Sequence, residues 1–177
     1  MNRQPTIKEK QNYKQGNLLE RVALNLLRKK YTVEDRSEWA KWGSGKEYAM
    51  DWLIEDFNVA VEFKFKTTWL VKLYENYGIK KITYTINHDH LTKYIKYLDN
   101  HPEIARGYFW VMDKDTFNEY RIDMRYIQKL INEDKVYTQR NVSTKKHYES
   151  GPYYAIPLDY FEEITAKPYS IGACSRL

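Results

Sequence analysis

Apolar residues recur at intervals of three and four between residues 17 and 30, the spacing of one face of an α-helix. They are Leu19, Val22, Ala23, Leu26 and Leu27. The pattern predicts an amphipathic helix over residues 17–30, with basic residues in the last turn, where the helix dipole favours them. Residues 1–15 are polar and lack this periodicity, so we predict a polar N-terminal arm there.

An alternation of apolar and polar residues predicts a strand at residues 59–66, because successive side chains of a strand point to opposite faces. One face is apolar and consists of Val59, Val61, Phe63 and Phe65. The other face consists of Ala60, Glu62, Lys64 and Lys66. A strand at 48–54 and turn-forming residues at 55–58 complete a predicted hairpin, which follows a polar, irregular stretch at 32–47.

The rest of the pattern predicts a succession of strands and helices. Strands are predicted at 81–86, 107–112, 117–122 and 153–156, and helices at 89–100, at 123–130 with Asp123 as N-cap, and, as a turn or helix, at 158–164. This order is typical of a mixed α+β (α/β) domain. We therefore predict one domain over residues 16–165, followed by a tail at 166–177.

Composition and charge narrow the class of protein. An apolar fraction of 42% argues against wholesale disorder, and the net charge of +5 fits a polyanionic partner without requiring one. One cysteine, Cys174, cannot form an internal disulfide or a Cys-rich zinc site, which favours a reducing compartment. No segment is as long and apolar as a membrane span, and the N-terminus lacks a secretion signal, so we expect a soluble, cytoplasmic protein.

Two carboxylates are predicted to meet on the hairpin. If residues 55–58 form the turn, Ile54 pairs with Val59 and Asp51 lies across from Glu62. Opposed side chains on one face have β-carbons about 4.5–5.5 Å apart, and like charges at that distance destabilise a sheet. A divalent cation would offset this repulsion, since Mg²⁺ is commonly held by one or two carboxylates plus phosphate oxygens.

The first helix contributes a third carboxylate. Glu20 falls inside the apolar arc of the helix, between Leu24 and Leu27. A carboxylate on a buried face is unfavourable unless it is paired or metal-bound, so we predict that the helix aims Glu20 at the carboxylates of the hairpin. The alternative is a capping box, in which Asn17 begins the helix and Glu20 is its third residue.

The order of four residues along the chain resembles the PD-(D/E)xK nuclease superfamily: a helix glutamate, an aspartate, and then Glu-x-Lys on the next strand. Their spacing is similar to that in archaeal-type Holliday junction resolvases and some phage nucleases. The residues are Glu20, Asp51, Glu62 and Lys64. The resemblance implies a restriction-endonuclease-like core, a central mixed sheet flanked by helices. It also implies that Asp51, Glu62 and the Phe63 carbonyl bind Mg²⁺, for which Mn²⁺ substitutes, and that Glu20 completes the metal site. Lys64 would orient the attacking water for phosphodiester hydrolysis.

The resemblance covers about residues 16–112 and implies DNA as the substrate, with branched and double-stranded DNA as the expected forms. A resolvase would act as a homodimer, because it cuts two strands symmetrically. Met50 stands where the motif name has proline, and no glutamine occupies the start of the predicted helix at 89–100. These departures leave open the subfamily and the choice between DNA and RNA.

Five residues are candidates for nucleic-acid contact: Ser44, Lys46, Lys66, His88 and Lys93. The loop around Ser44 is either flexible or a place where a nucleic-acid backbone approaches closely. His88 lies at a strand-to-helix junction that Asp89 is expected to cap, although His88 and His90 also resemble a zinc-binding pair.

Lys93 belongs to a part of the sequence in which lysines alternate with tyrosines. The tyrosines are Tyr84, Tyr94 and Tyr97. They either form a basic, aromatic surface for nucleic acid or pack inward, which we favour for Tyr94. Two broader alternatives remain: Glu62 and Lys64 face solvent on a half-exposed sheet, or the chain is a non-catalytic nucleic-acid-binding module on the same fold.

Overall fold

The computed structural model describes residues 7–37, 50–66, 83–113, 118–139 and 152–164. The helices are α1 (Ile7–Arg28), α2 (His88–Asn100) and α3 (Met124–Asn132). The strands are β1 (Val33–Asp35), β2 (Trp52–Ile54), β3 (Val59–Lys66), β4 (Thr83–Asn87), β5 (Arg106–Asp113), β6 (Glu119–Asp123), β7 (Tyr137–Gln139), β8 (Tyr153–Pro157) and β9 (Glu162–Glu163). None of the helices in these ranges is long and apolar enough to cross a membrane.

The strands form two sheets. The larger sheet has the order β1-β2-β3-β5-β6-β9, in which β3 and β5 are parallel and the other neighbours are antiparallel. A smaller antiparallel sheet has the order β4-β8-β7. Helices pack against the larger sheet, so the predicted fold class, a mixed α+β domain with a central mixed sheet flanked by helices, is confirmed.

The predicted hairpin forms in the predicted register. Ile54 pairs with Val59, and the pairing continues to Trp52 and Val61. The turn is a 3₁₀ helix at Glu55–Phe57, closed by Asn58 in the left-handed conformation with φ 51°, which asparagine tolerates better than most residues. The register places Asp51, which directly precedes β2, at the end of the hairpin where β3 reaches Glu62.

Both faces of β3 are buried, each in its own apolar cluster. Val61 and Phe63 pack beneath Leu24 and Leu27 of α1. On the opposite face, Ala60 packs in a larger cluster formed with residues of α2, α3 and β5. Burial on this second face includes Glu62, which is 3% exposed, so the alternative that Glu62 faces solvent on a half-exposed sheet is wrong.

Helix α2 packs on β5. Its C-terminal Leu98 lies against Gly107 near the start of β5, where a β-carbon added to the glycine would come within 2.5 Å of Leu98 Cδ1. The side chain of Asn87 caps α2 by accepting hydrogen bonds from the backbone N–H groups of Asp89 and His90. The cap predicted at Asp89 is therefore wrong by two residues, whereas the cap of α3 is Asp123, as predicted.

Helix α1 is longer than predicted. It begins at Ile7, ten residues before the expected start at Asn17, so most of the segment predicted to be a polar arm is helical. Lysine, glutamate and glutamine, which are common in this segment, sustain a helix without an apolar face. Because Glu20 lies in the interior of α1, its alternative role in an N-terminal capping box is wrong.

Candidate active site

Three of the predicted catalytic side chains meet at one end of the β2–β3 hairpin. The ammonium of Lys64 contacts Glu62 Oε1 and lies 3.4 Å from Asp51 Oδ2. The backbone N–H of Phe63 donates a hydrogen bond to Asp51 Oδ2 at 3.0 Å. The predicted convergence of Asp51, Glu62 and Lys64 is therefore present, while their chemical roles stay predictions.

Local packing explains why Asp51 is held there. Trp52, the residue after Asp51, stacks on Phe63 with ring centroids 4.8 Å apart and is fully buried. Met50, the residue before Asp51, is buried in the cluster on the opposite face of the sheet. The Asp51 carbonyl accepts a hydrogen bond from the Arg36 backbone N–H at 2.7 Å. Two buried neighbours and one backbone bond thus fix the backbone on either side of the carboxylate.

The site holds charges in a place with little access to water. Asp51 is 9% exposed and Glu62 3%, whereas the side chain of Lys64 is 38% exposed. Burial, together with the charge of Glu62, raises the pKa of Asp51 to about 7, although Lys64 and the Phe63 N–H act in the opposite direction. Burial alone would lower the pKa of Lys64. The charges of Glu62 and Asp51 raise this pKa by a larger amount, so the ammonium stays charged.

Glu20 lies within electrostatic reach of this group, as the sequence predicted. Burial and the charge of Asp51 raise its pKa to about 7, against the charge of Lys64, which lowers it. Asp35, at the end of β1, also raises the pKa of Glu20. When all three are ionised, the carboxylates of Glu20, Asp51 and Glu62 outnumber the ammonium of Lys64 in this described group of side chains, so the group favours additional positive charge.

The donor set suits a hard divalent cation. Mg²⁺ prefers oxygen ligands. The site offers the carboxylate oxygens of Asp51 and Glu62 and the main-chain carbonyl of Phe63. A cationic group, the ammonium of Lys64, already lies against both carboxylates. Among the side chains that the structure describes, no three His, Cys, Asp or Glu residues are grouped as a metal site. A metal at this position would therefore depend on two carboxylates, backbone and substrate oxygens, the set typical of Mg²⁺.

Two of the predicted nucleic-acid contacts lie in the first turns of α2. His88 is half-buried, and Lys93, in the second turn, is exposed.

Of the other predicted contacts, the structure describes the backbone of Lys66 and does not describe Ser44 or Lys46. Ser44 and Lys46 lie outside the described residues. Lys66 is the last residue of β3 and is paired with Asp113 of β5, which places its backbone two residues beyond Lys64. Lys66 is thus at the same end of the sheet as the candidate site.

Two alternatives from the sequence do not survive. Tyr84, Tyr94 and Tyr97 are all buried, so they cannot form a basic, aromatic surface with the exposed lysines of α2. His88 and His90 are helical, and residues two apart on a helix point in different directions, so they do not form a strand-type zinc pair. The Nδ1 atom of His88 instead lies 2.8 Å from the Tyr154 hydroxyl.

Sequence reasoning missed two acidic residues near this end of the sheet. Asp35 belongs to β1, a three-residue strand too short to show a periodic pattern, which pairs with β2 opposite Trp52. Asp113, at the end of β5, is buried and accepts a hydrogen bond from the Tyr84 hydroxyl at 3.1 Å. The sequence contained no signal for this second contact, because it joins strands of two different sheets.

Comparisons with known proteins give a structural likeness. No protein-family model matches the chain, and no curated protein matches it. Among solved structures, the chain is similar to D212, a nuclease from a fusselovirus, at 16% identity and a TM-score of 0.48, over 93% of this chain and 92% of that chain.

Proposed function

We propose that the chain is a Mg²⁺-dependent nuclease of the PD-(D/E)xK type that hydrolyses phosphodiester bonds in DNA. The observation that supports this most is the contact of one ammonium, Lys64, with two buried carboxylates, Asp51 and Glu62, at the end of a hairpin. Burying two carboxylates together is unfavourable unless a cation and fixed hydrogen bonds compensate. Hydrolysis of a phosphodiester bond would explain why two buried carboxylates lie beside an ammonium.

The metal would be held by Asp51, Glu62 and the Phe63 carbonyl, with Glu20 supporting the site from α1. When bound, Mg²⁺ supplies a Lewis acid and makes hydroxide available near neutral pH. The hydrogen bond from the Phe63 N–H orients the Asp51 carboxylate. Preformed orientation of this kind reduces the reorganisation needed during a reaction.

Lys64 has the geometry to act on both water and phosphate. Its side chain is the most exposed of the three that converge, so the ammonium can reach a substrate phosphate without leaving the site. Because its pKa is raised by Glu62 and Asp51, Lys64 remains a cation. We assign it to orienting the attacking water and to offsetting negative charge on the phosphate.

The charge of the chain suits a polyanionic substrate. The net charge is +5, and Lys93, in the second turn of α2, is exposed. Helix N-termini favour negative charge, and phosphate contacts position a nucleic acid without reading its sequence. DNA, branched or double-stranded, is the proposed substrate, and a homodimer is the proposed form for cutting two strands.

A cleavage panel tests the proposal. Plasmid, linear duplex, single-stranded and four-way-junction DNA, together with RNA, are incubated with the protein in Mg²⁺, Mn²⁺ or EDTA. The proposal expects cutting in either metal ion, none in EDTA, and a preferred DNA form that identifies the substrate. Nucleic-acid binding that ignores metal, with no cutting of any substrate, would instead favour a non-catalytic binding module.

A further inference from the structure

The main chain of Asp51 is held by the residue that follows β1. The last pair between β1 and β2 joins Asp35 to Trp52. One residue further on, the Arg36 N–H donates a hydrogen bond of 2.7 Å to the Asp51 carbonyl. On the other side of Asp51, the Phe63 N–H donates to its carboxylate. Asp51 is therefore held by its carbonyl toward β1 and by its carboxylate toward β3.

The side chain of Arg36 is fixed by two partners on different elements. Its Nε and Nη2 atoms donate hydrogen bonds to Glu34 Oε2 at 2.8 and 2.5 Å. Its Nη1 atom donates to the hydroxyl of Tyr97 on α2. The side chain is only 14% exposed. Because a guanidinium is planar and presents its donors in a rigid fork, these contacts set its orientation as well as its position.

The hydroxyl of Tyr97 is a firm point of attachment. Tyr97 is 2% exposed and belongs to the larger apolar cluster. Its ring also contacts the ring of His101, with centroids 4.5 Å apart. A side chain packed on all sides in a dense interior cannot shift without moving its neighbours. Through Arg36, the end of β1 is thus attached to the packed core beneath α2.

Strand β1 needs such an attachment. It has three residues, and among the described strands it lies at the edge of the larger sheet, paired with β2. Short edge elements open locally more readily than the core of a protein. If the end of β1 opened, the bond from the Arg36 N–H to the Asp51 carbonyl would be lost.

We propose that Arg36 is a positioning residue for Asp51: its side chain, held by Glu34 and Tyr97, keeps the end of β1 bonded to the main chain of Asp51. The inference rests on the proposed nuclease function for the role of Asp51. Arg36 acts through the backbone of Asp51 and not on the reacting atoms. The carboxylate of Asp51 is thereby kept where its Oδ2 lies 3.4 Å from the Lys64 ammonium.

The test removes the guanidinium and compares two sites of similar chemistry. Arg36→Met keeps an unbranched apolar side chain and removes all its donors. The matched control is Arg121→Met on β6, where a buried arginine, 3% exposed, donates from Nε to Glu162 Oε2 at 2.9 Å. Glu34→Ala removes one partner of Arg36, whereas Glu34→Gln keeps an oxygen acceptor there. Circular dichroism checks that each variant is folded, and the two Glu34 variants decide the question if Arg36→Met does not fold.

The first readout is amide hydrogen exchange at Phe63, measured by NMR in EDTA at one pH. Its rate is divided by that of the slowest core amides, which report global unfolding, so that a general loss of stability cancels. The inference predicts that this ratio rises about tenfold in Arg36→Met and in Glu34→Ala, because the bond from Phe63 to the Asp51 carboxylate opens more often. Glu34→Gln should stay within about threefold of the wild type, and Arg121→Met should not change the ratio. An unchanged ratio in Arg36→Met and Glu34→Ala, or an equal rise in Arg121→Met, would overturn the inference.

The second readout is steady-state DNA cleavage with Mg²⁺. A small displacement of a metal ligand lowers kcat, so we expect kcat about 10- to 100-fold lower in Arg36→Met, with KM unchanged and with wild-type kinetics in Arg121→Met. A raised KM with unchanged kcat would instead assign Arg36 to binding the substrate and overturn the positioning role.

Failure of this inference is distinguishable from failure of the nuclease proposal. Cleavage by the wild type, with kcat and Phe63 exchange both unmoved in Arg36→Met, would leave the nuclease standing and remove the role of Arg36. Phe63 exchange that responds to Arg36→Met and Glu34→Ala, in a protein that cuts no substrate under any metal condition, would keep the hold of Arg36 on Asp51 and remove the nuclease.

Discussion

The Phe63 backbone N–H donates a hydrogen bond to Asp51 Oδ2 at 3.0 Å, which ties the carboxylate of one hairpin strand to the backbone of the other. Phe63 lies between Glu62 and Lys64, so the same segment of β3 supplies a carboxylate, a backbone donor and an ammonium around Asp51. The position of the site therefore follows from the register of one hairpin.

In EDTA, the free energy of unfolding should depend on pH because Asp51 titrates differently in the folded and unfolded states. Burial and the charge of Glu62 raise the pKa of Asp51 to about 7, whereas an unfolded aspartate titrates at about 4. Between these values the folded state binds more protons than the unfolded chain, so the free energy of unfolding falls as pH rises and levels off above about pH 7. Urea unfolding in EDTA should show Asp51→Asn gaining stability relative to the wild type over this range. A stability difference that is constant with pH would show that Asp51 is not perturbed.

Mg²⁺ should stabilise the folded protein through Glu62. A ligand that binds only the folded state at about 100 times its Kd adds roughly 2.7 kcal/mol, which for a chain of this size raises Tm by about 5–10 °C. We predict this rise in the wild type and its loss in Glu62→Gln. The matched control, Glu163→Gln, removes an exposed carboxylate on β9 and should keep the rise. An equal rise in both variants would place the metal elsewhere.

Lys64→Met should separate metal binding from catalysis. The ammonium contacts both carboxylates, so its removal leaves the oxygen ligands in place and takes away a cation that competes for them. We predict that cleavage falls by about 10²–10³-fold, as for the loss of one electrostatic stabiliser, while the Kd for Mn²⁺ is unchanged or lower. Calorimetric titration with Mn²⁺ measures this directly. Loss of Mn²⁺ binding in this variant would mean that Lys64 supports the metal site instead of competing for it.

Gly107→Ala should loosen the packing of α2 on β5. The added methyl group would lie 2.5 Å from Leu98 Cδ1, which forces the leucine or the helix to move. Overpacking of this kind typically costs about 1–3 kcal/mol, and we expect a loss of that size in urea unfolding. Combining it with Leu98→Ala should give less destabilisation than the sum of the two single changes. Strict additivity would contradict the contact.

The sequence predicted the candidate site because the site depends on local rules. Alternation along β3 and a four-residue turn were enough to place Asp51 near Glu62 and Lys64, and the register from Ile54 to Trp52 is the predicted one. The apolar arc of α1 likewise predicted that Glu20 faces inward. These relationships involve residues close in sequence, where strand and helix geometry decide the contacts.

The parts that the sequence missed depend on packing between distant segments. The first ten residues of α1 carry no apolar periodicity from which a helix could be predicted. The strands β1, β7 and β9 are two or three residues long, and only their partners in the sheets define them. Tyr94 packs inward as predicted, but Tyr97 is also buried because α2 lies against the larger apolar cluster, which a pattern of alternating lysines and tyrosines does not reveal.

The most direct test of the central claim is single-turnover cleavage of a labelled DNA substrate by the wild type and by Asp51→Asn, each with Mg²⁺ and with EDTA. The account predicts cleavage by the wild type only with Mg²⁺, and a rate at least about 10³-fold lower in the variant, because a Lewis-acid metal contributes several kcal/mol to the reaction. Glu55→Gln, which changes an exposed carboxylate in the turn of the same hairpin, should cut at the wild-type rate. Full activity in Asp51→Asn, or wild-type cleavage that persists in EDTA, would contradict the account.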